Sequence, residues 1–430
     1  MTEPAIQSIV ARRIWDSRGR PTVEAEVALS NGVKARGIAP AGASRGSREA
    51  VDKRDGGARF GGLDVQGALQ SVREEIAPAL LGLEPFDQAA VDARLVALDG
   101  TPNKARLGGN ALTAVSLAVL AAAARSRGLP LWRHLAGDGA VTIPLPEIQI
   151  FGGGAHAGRR VDIQDFMVVA PKARSFAEAL EWTAEIYRAA GAMMSETGRL
   201  QGVADEGGFW PAFDSNEAAL DALVGAIERA GFTPGDEVSI SLDIASSEFY
   251  RDGAYRLALE GLVLDSDAMS AMLIDWLDRY PIVSIEDPLA EHDAAGFTHF
   301  TKAVGHRVQI VGDDFLVTDA ARLRRAAAMP ACNAILVKPN QVGTVSEAMA
   351  AVEAARAVHW GAIVSARSGE TEDVTIVHLA VGWGVLQLKV GSFSRSERMA
   401  KWNEALRIEE ALDGRARFAG AEPWHGWGAT

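Results

Sequence analysis

The sequence predicts an α/β protein whose larger part is a β/α barrel, and three observations support this prediction. First, short apolar runs end at a charged residue, as expected of buried strands that reach the mouth of a barrel. The residues at these ends are Asp243, Glu286, Asp313, Lys338 and Lys389. Second, these ends are 43, 27, 25 and 51 residues apart, whereas one βα unit takes roughly 25 to 45 residues. The last gap therefore fits two units, with residues 362–365 as the intervening strand.

Third, strand-like and helix-like segments alternate from residue 143 to the end of the chain. The clearest predicted helices span residues 176–195, 216–230, 267–279 and 345–358. A doubly wound sheet is the structural alternative. It would normally carry a glycine-rich phosphate turn after its first strand, and the loop at 152–156 matches that turn poorly.

The first third of the chain has a different pattern and predicts a separate domain. Residues 22–27 alternate as in a β-strand, a Gly/Ser-rich loop follows at 39–47, and helical patterns come next. A turn-rich stretch at 137–140 marks a boundary. We therefore expect an α+β domain at 1–138 and a barrel at 143–430.

Composition narrows the classes of partner. A formal net charge of −13 argues against nucleic acid or anionic membrane as a general partner, although local Lys and Arg can still form a pocket for an anion. The apolar stretch at 111–124 is read as a core helix too short to span a membrane, and no signal peptide is apparent. The single cysteine, Cys332, is expected to be a buried, inert thiol in a cytoplasmic protein.

The three acidic residues at the strand ends predict a metal site. Asp243, Glu286 and Asp313 offer only oxygen ligands, which suits Mg²⁺ better than Zn²⁺. A single carboxylate in such a position is usually a helix cap or a solvated loop residue. Three of them, followed by two lysines, favour a site.

The two lysines predict removal of a proton α to a carboxylate. A lysine near bound cations has its ammonium form disfavoured, so Lys338 or Lys389 could act as a general base with a lowered pKa. A divalent cation would stabilise the enediolate that forms.

Other candidates are polar residues in loops. Arg367 and Ser368 follow the strand at 362–365 and could clamp a phosphate, although an isolated arginine there would more often be a surface residue. Glu206 and Asp165 are acid/base candidates that could equally be solvated carboxylates. His156 could donate to an oxyanion or belong to a flexible loop.

Taken together, these residues resemble the enolase family along essentially the whole chain. The motifs that carry the resemblance include Asp-Ser-Arg-Gly at 16–19, Gly-Ala-Ser at 42–44, Asp-Glu-Gly-Gly at 205–208, Ser-Ile-Glu-Asp-Pro at 284–288 and Arg-Ser-Gly-Glu-Thr-Glu-Asp at 367–373. The resemblance implies an N-terminal α+β capping domain on an enolase-type, TIM-like β/α barrel. It also implies a homodimer, with Glu24 and Arg407 at positions that pair across its interface.

The resemblance also implies a role for each site residue. Asp243, Glu286 and Asp313 would bind Mg²⁺, and Ser44 on a mobile lid would reach a second Mg²⁺. Lys338 would be the base, Lys389 would stabilise the enediolate, and Glu206 would help hydroxide to leave. Arg367 and Ser368 would hold the phosphate.

The chain departs from the family pattern around the site. Ala366 replaces a histidine, Asp165 replaces the glutamate that follows Gln164, and Arg45 replaces a threonine beside Ser44. An aspartate in place of glutamate retracts the carboxylate by about 1.5 Å, and such a misplacement can cost on the order of 100-fold in rate. The Asn-Gly-Gly-Ser-His loop of the family is altered at 152–156.

These departures leave three hypotheses. The preferred one is a diverged paralogue of the carboxyphosphonoenolpyruvate synthase type, in which Ala366 makes room for a larger partner and Arg45 contacts an additional anionic group of a cytidylyl-activated phosphonate donor. Gln164, Ser44, Arg45 and Ala366 would then line the substrate site. The alternative is an ordinary enolase that converts 2-phosphoglycerate to phosphoenolpyruvate. The third is a non-catalytic binding protein that keeps only the fold.

Overall fold

A computed structural model describes residues 3–424, and its N-terminal part is a three-stranded sheet covered by helices. The strands β1 (Ile6–Trp15), β2 (Pro21–Leu29) and β3 (Lys34–Ile38) pair antiparallel in the order β1-β2-β3. The helices are α1 (Gln66–Ser71), α2 (Ala77–Leu80), α3 (Gln88–Asp99), α4 (Gly109–Ser126) and α5 (Leu131–Ala136). A 3₁₀ turn at Arg59–Gly62 precedes them, and a π-helical turn at Val72–Ile76 joins α1 to α2.

Helix α4 is the core helix of this part and packs on β2 and β3. Gly37 of β3 permits the close approach, because a Cβ atom there would lie 2.4 Å from the backbone nitrogen of Ala118. The expectation that this apolar stretch is too short to span a membrane was wrong, because the helix extends over 18 residues. Within the described residues it is the one helix long and apolar enough to do so, and 83% of it is buried inside the protein.

The rest of the chain forms a closed eight-stranded barrel, which confirms the predicted fold class. Its strands are β5 (Leu145–Gly152), β6 (Asp165–Val169), β7 (Ser239–Asp243), β11 (Ile282–Glu286), β12 (Gln309–Gly312), β13 (Ala334–Val337), β14 (Gly361–Ser365) and β15 (Gln387–Ser392). The short strands outside the barrel are β4 (Thr142–Ile143), β8 (Tyr250–Arg251), β9 (Ala254–Leu257), β10 (Leu262–Leu264) and β16 (Arg417–Phe418).

The barrel is not fully parallel, although the alternation of strands and helices from residue 143 predicts parallel strands throughout. Strand β6 runs antiparallel to both β5 and β7, with Asp165 opposite Gly152 on one side and Asp243 on the other. The carboxyl ends of β5 and β7 and the amino end of β6 therefore meet at one mouth. Asp165 reaches the site from the start of a strand, not from a loop.

Helices cover the outside of the barrel, as the apolar periodicity predicts. They are α6 (Phe176–Glu196), α7 (Asn216–Arg229), α8 (Ser266–Arg279), α9 (Ala294–Val304), α10 (Ala320–Ala328), α11 (Pro339–Val342), α12 (Val345–Ala357), α13 (Thr375–Gly382) and α14 (Ser396–Ala411). The four helices singled out in the sequence are confirmed to within a residue or so at each end.

Cys332 is 2% exposed and burial raises the pKa of its thiol well above the ordinary value, as expected of an inert cysteine.

Buried polar contacts join the N-terminal part to the barrel. The Asp92 carboxylate of α3 accepts hydrogen bonds from the backbone N–H and the hydroxyl of Ser346, in the first turn of α12, at 2.9 and 2.7 Å. Lys104 pairs with Glu347 of the same turn at 2.6 Å. An acceptor at a helix N-terminus satisfies donors that have no partner inside the helix, so these contacts fix one part against the other.

Candidate active site

The three predicted metal carboxylates come together at the mouth of the barrel. Asp243 and Glu286 are the last residues of the adjacent strands β7 and β11 and lie directly opposite each other in the sheet. Asp313 follows β12, the next strand around the barrel. All three side chains are buried, at 2% to 6% exposed.

Both predicted lysines point into this acidic cluster. The Lys389 ammonium, from β15, lies 2.9 Å from Asp243 and 2.7 Å from Glu286, and 3.4 Å from Asp165. Lys338, directly after β13, contacts Asp313 at 2.5 Å. The five strand-end residues from which the barrel was predicted therefore form one contiguous charged site.

The pKa values of the two lysines differ from expectation. Burial lowers the pKa of Lys338, but the Asp313 carboxylate raises it more, so the net pKa lies above the ordinary value. For Lys389, burial is likewise outweighed by Asp243, Glu286 and Asp165. The expected lowering is absent because the carboxylates stabilise both ammonium groups in this arrangement.

The carboxylates fit a hard divalent cation. Burial and the neighbouring Asp243 raise the pKa of Glu286 well above its usual range, so the cluster strongly favours added positive charge. One buried oxygen of Glu286 and the buried side-chain oxygen of Gln164 have no hydrogen-bond partner among the described residues. Unsatisfied buried oxygens next to crowded carboxylates are typical donors for Mg²⁺.

A second group of acidic residues lies next to this cluster and shares Asp313 with it. Asp287, Asp313 and Asp314 bring carboxylate oxygens within 4.8 Å of one another. Asp287 accepts the backbone N–H groups of Asp313 and Asp314 at 2.9 and 2.8 Å, which orients the turn after β12. We read this group as support for Asp313, because its hydrogen bonds are directed at the backbone.

His156, Asp165 and Ser368 form a buried hydrogen-bonded chain beside the lysines. The imidazole Nδ1 lies 3.0 Å from Asp165 and its Nε2 lies 3.1 Å from the Ser368 hydroxyl. Burial lowers the pKa of His156, but Asp165 and Glu206 raise it to about 9. Burial also raises the pKa of Asp165, but His156 and Lys389 lower it below the usual range. The pair is therefore an imidazolium–carboxylate pair at neutral pH.

Glu206 lies at the other side of the imidazole. One of its oxygens is 3.6 Å from His156 Nε2, and the side chain is 8% exposed. Glu206 therefore lies within reach of any ligand that contacts His156, which is the position that a general acid needs. Glu206, His156 and Asp165 thus form one acid/base group within a single site.

Arg367 is held by a partner that the sequence analysis missed. Its guanidinium lies 3.0 Å from one oxygen of Glu49 and 3.1 Å from the other, and it also contacts Asn340 at 3.2 Å. Gly42 is required at this contact, because a Cβ atom there would lie 2.0 Å from the guanidinium. Glu49 lies in a polar segment of the N-terminal part, and no motif distinguishes it from a solvated side chain.

The loop at residues 39–48, here called the lid segment, lies over the mouth. The Ser368 hydroxyl accepts the N–H of Ala43 at 3.1 Å, and the Ser44 carbonyl accepts from Arg367 at 3.2 Å. Ser47 donates through its N–H and its hydroxyl to the same Glu291 oxygen at 3.1 and 3.0 Å. The lid segment is thus joined to the barrel on both sides of the site.

One of the residues that depart from the family pattern does not lie where the preferred hypothesis expects it. Arg45 is 50% exposed and lies 3.6 Å from Asp52, so it does not point into the site. Ala366 is 5% exposed and lines the site together with Ser44, Gln164 and the two lysines.

Gln164 and Gln149 complete the mouth. The Gln164 amide donates to Asp243 at 3.0 Å. Gln149, which the sequence analysis missed, donates to Asp165 and accepts from the N–H of Gly208 at 2.8 Å. The alternation of Glu147 and Gln149 along β5 was the signal for it, since residues two apart in a strand share one face.

Comparison with known proteins adds independent evidence. The family described as "Enolase, N-terminal domain" matches residues 6–135, and "Enolase, C-terminal TIM barrel domain" matches residues 140–425. Enolase 1 of Desulfitobacterium hafniense (strain Y51) is 48% identical over 416 residues, which are 96% of this chain and 95% of that relative. Similarity of this extent covers both parts of the chain.

Proposed function

The chain belongs to the enolase family, and from this premise we propose that it removes water from 2-phosphoglycerate to give phosphoenolpyruvate. It is an enzyme of that family, which excludes the non-catalytic hypothesis. One observation supports the reaction best: Lys338 and Lys389 lie in direct contact with three buried carboxylates at one mouth. This is the arrangement that proton abstraction next to a carboxylate requires.

We assign the first step to Lys338. In this structure Asp313 raises the pKa of Lys338, so the side chain is an ammonium group. A cation held by Asp313 would offset that carboxylate and favour the neutral amine. The amine would then take the proton from the carbon that bears the phosphate, while the electron pair of that C–H bond moves into an enediolate. The Lys389 ammonium lies across the acidic cluster, where it stabilises the charge on the substrate carboxylate. In the second step the bond from the neighbouring carbon to its hydroxyl breaks, and Glu206 supplies the proton that converts hydroxide to water.

The enzyme uses Mg²⁺. We assign its binding to Asp243, Glu286 and Asp313, the buried carboxylates at the mouth, with Ser44 as a candidate ligand for a second ion. When bound, the cation supplies positive charge that offsets the charge of an enediolate. We assign Arg367 and Ser368 to the phosphate, with Gln164 and His156 in the substrate wall. Glu49 holds the Arg367 guanidinium in position at the mouth. When the phosphate binds, the guanidinium would exchange some of its contacts with Glu49 for contacts with the phosphate.

The diverged carboxyphosphonoenolpyruvate synthase hypothesis has less support. The relative that covers nearly the whole chain is named an enolase. Arg45, which was expected to contact a donor, pairs with Asp52 and is half exposed. We therefore place ordinary dehydration first.

Turnover distinguishes the two reactions. Purified protein with Mg²⁺ should convert 2-phosphoglycerate to phosphoenolpyruvate, followed in the ultraviolet, and a cytidylyl phosphonate should leave the product unchanged. Formation of a carboxyphosphono product with negligible dehydration would instead favour the diverged function.

We further propose a homodimer in a cytoplasmic setting, consistent with one buried cysteine. Within one chain Glu24 pairs with Arg12 and lies 3.7 Å from Arg36, and Arg407 pairs with Glu404. Sedimentation should give twice the 45.5 kDa chain mass, whereas the single-chain mass at micromolar concentration would contradict the dimer.

A further inference from the structure

A pocket outside the active site carries an unusual charge. It has a volume of about 530 Å³, within the roughly 300 to 1,000 Å³ typical of ligand sites. Three arginines line it: Arg48 of the lid segment, Arg322 of α10 and Arg325 of α10. Glu291 is the only acidic residue in its lining. Three guanidinium groups around one cavity are unexpected in a chain with a net charge of −13.

None of the three guanidinium groups forms an ion pair with a carboxylate among residues 3–424. The side chains of Arg48 and Arg325 make no hydrogen bond to any residue in that range. The Arg322 guanidinium donates to the carbonyl of Phe315 at 3.1 and 2.6 Å, and its backbone N–H donates to Asp319 at 2.8 Å. Burial lowers the pKa of Arg322, and Arg48 and Arg325 lower it further by repulsion. Like charges held together in this way oppose each other unless an anion neutralises them.

The acidic groups offset only part of this charge. Glu291 raises the pKa of Arg322, as does Asp319 directly before α10. The Glu291 carboxylate also accepts hydrogen bonds from the N–H and the hydroxyl of Ser47 and lies 3.5 Å from His292. Three arginines and one glutamate leave the lining of the pocket with a net positive charge.

Apolar side chains also line the pocket. They include Phe315, Leu316 and Met329, and Phe315 stacks on Phe297 at 4.2 Å between ring centroids. A pocket lined by both guanidinium groups and apolar side chains suits a ligand that has a phosphate group and a flat organic body. Guanidinium groups bind phosphate oxygens in pairs, which favours two adjacent phosphates over one.

We propose that this pocket binds a nucleoside diphosphate and that the bound ligand ties the lid segment to the barrel. The phosphates contact Arg48, Arg322 and Arg325, and the base lies against Phe315, Leu316 and Met329. Arg48 directly follows Ser47, which already holds Glu291, so an anion shared by Arg48 and α10 adds a second connection at the same place. Because coupling between two sites is reciprocal, occupancy should then alter the affinity of the active site for its substrate.

Binding is tested by titration calorimetry with adenosine 5′-diphosphate in buffer containing EDTA. The double variant Arg48→Gln/Arg325→Gln should bind the probe about 10-fold or more weakly than the unaltered chain. Arg324→Gln is the matched control, because Arg324 is exposed on the same helix and does not line the pocket. Equal affinity in the double variant would overturn the proposal, since an anion bound at Arg367 would be common to both proteins.

Two further probes test the ligand class. Adenosine should not bind measurably, and pyrophosphate should bind several-fold more weakly than the diphosphate nucleoside. Adenosine binding as tight as that of the nucleotide would overturn the role of the arginines, and equal binding of pyrophosphate would overturn the role of the apolar side chains.

The connection to the lid segment has its own readout. Saturating adenosine 5′-diphosphate should lower the KM for 2-phosphoglycerate by about 5-fold in the unaltered chain and not in the double variant. An unchanged KM in both proteins would overturn the proposed coupling to the active site. Whether the pocket binds the nucleotide is decided separately by calorimetry. An inactive protein would contradict the proposed dehydration and not the pocket.

Discussion

At the scale of single residues, Lys338 carries the chemical step in the proposed reaction. It is the buried amine that contacts Asp313, and its backbone N–H is held by the Thr318 hydroxyl at 3.0 Å. Lys338→Ala should lower kcat by about 1,000-fold or more, because general bases typically contribute 10²- to 10⁴-fold. The measurement is phosphoenolpyruvate formation, together with exchange of the abstracted proton with solvent.

The control variant for this experiment is Lys302→Ala, an exposed lysine on α9. It should behave like the unaltered chain. Mg²⁺ binding by calorimetry should persist in Lys338→Ala, and its loss would mean that the lysine mainly supports the carboxylates.

Glu147 is a second residue with a specific expected effect. It lies inside the barrel on β5, where Gln387, two residues before Lys389, donates to it at 2.6 Å. Gln387 is bonded in turn to Gln309 at 2.7 Å, and Gln309 accepts from Ser284. These residues form a polar layer directly beneath the charged mouth, since residues two apart on a strand share a face.

Burial raises the pKa of Glu147 from 4.5 to about 7. Between these two pH values the folded chain holds the proton more tightly than the unfolded chain, so its stability falls as pH rises. Above pH 7 the ionised Glu147 lowers the free energy of unfolding by its full amount, roughly 3 kcal/mol. Glu147→Gln should remove this part of the pH dependence, measured by urea unfolding at pH 5 and pH 8. An identical change between the two pH values in both proteins would contradict the raised pKa.

At the scale of elements, helix α14 positions the loop that carries Arg367 and Ser368. Arg398, fully buried, donates to the carbonyls of Arg367, Ser368 and Val390 at 2.7, 2.5 and 2.8 Å. Lys401, one turn later, donates to the carbonyl of Thr371 at 3.0 Å. The two cations of one helix face therefore satisfy the backbone of the loop that carries Arg367.

Arg398→Met should destabilise the fold by about 3 kcal/mol or more, because each buried carbonyl left without a donor costs about 1 to 3 kcal/mol. The loop would also lose its fixed position, so KM should rise. Denaturant unfolding and steady-state kinetics measure the two effects. Arg188→Met, an exposed arginine on α6, is the matched control and should change neither.

At the scale of the whole molecule, Mg²⁺ should stabilise the fold. Asp243, Glu286 and Asp313 crowd negative charge at one mouth, and a cation that binds only the folded chain shifts unfolding by mass action. At 100 times its Kd the ion should add about 2.7 kcal/mol to the free energy of unfolding. Thermal unfolding with Mg²⁺ and with EDTA measures this difference.

Asp243→Asn should reduce the effect of Mg²⁺, and the exposed Glu353→Gln should preserve it. If Asp243→Asn showed the full stabilisation by Mg²⁺, the ion would be bound elsewhere on the chain.

The barrel and four of its charged strand ends could be predicted, because buried strands of a barrel appear in the sequence as apolar runs that end at a charged residue. Lys389 reaches the site as predicted, but it lies inside β15, which continues to Ser392. The reversed strand β6 could not be predicted, since five buried residues read the same in either direction. Glu49 and the arginine pocket were missed for another reason. Each depends on contacts between segments more than 200 residues apart, such as Arg48 with α10, and no local pattern records them.

The contact between Glu49 and Arg367 has an evolutionary consequence. The guanidinium that we propose to bind the phosphate is oriented by an acid that lies 318 positions earlier, in the N-terminal part of the chain. A chimaera that joined this barrel to the N-terminal part of a distant homologue would keep Arg367 and lose its orientation, unless that homologue supplied an acid at the equivalent position. The two halves of the gene are therefore expected to have been inherited together.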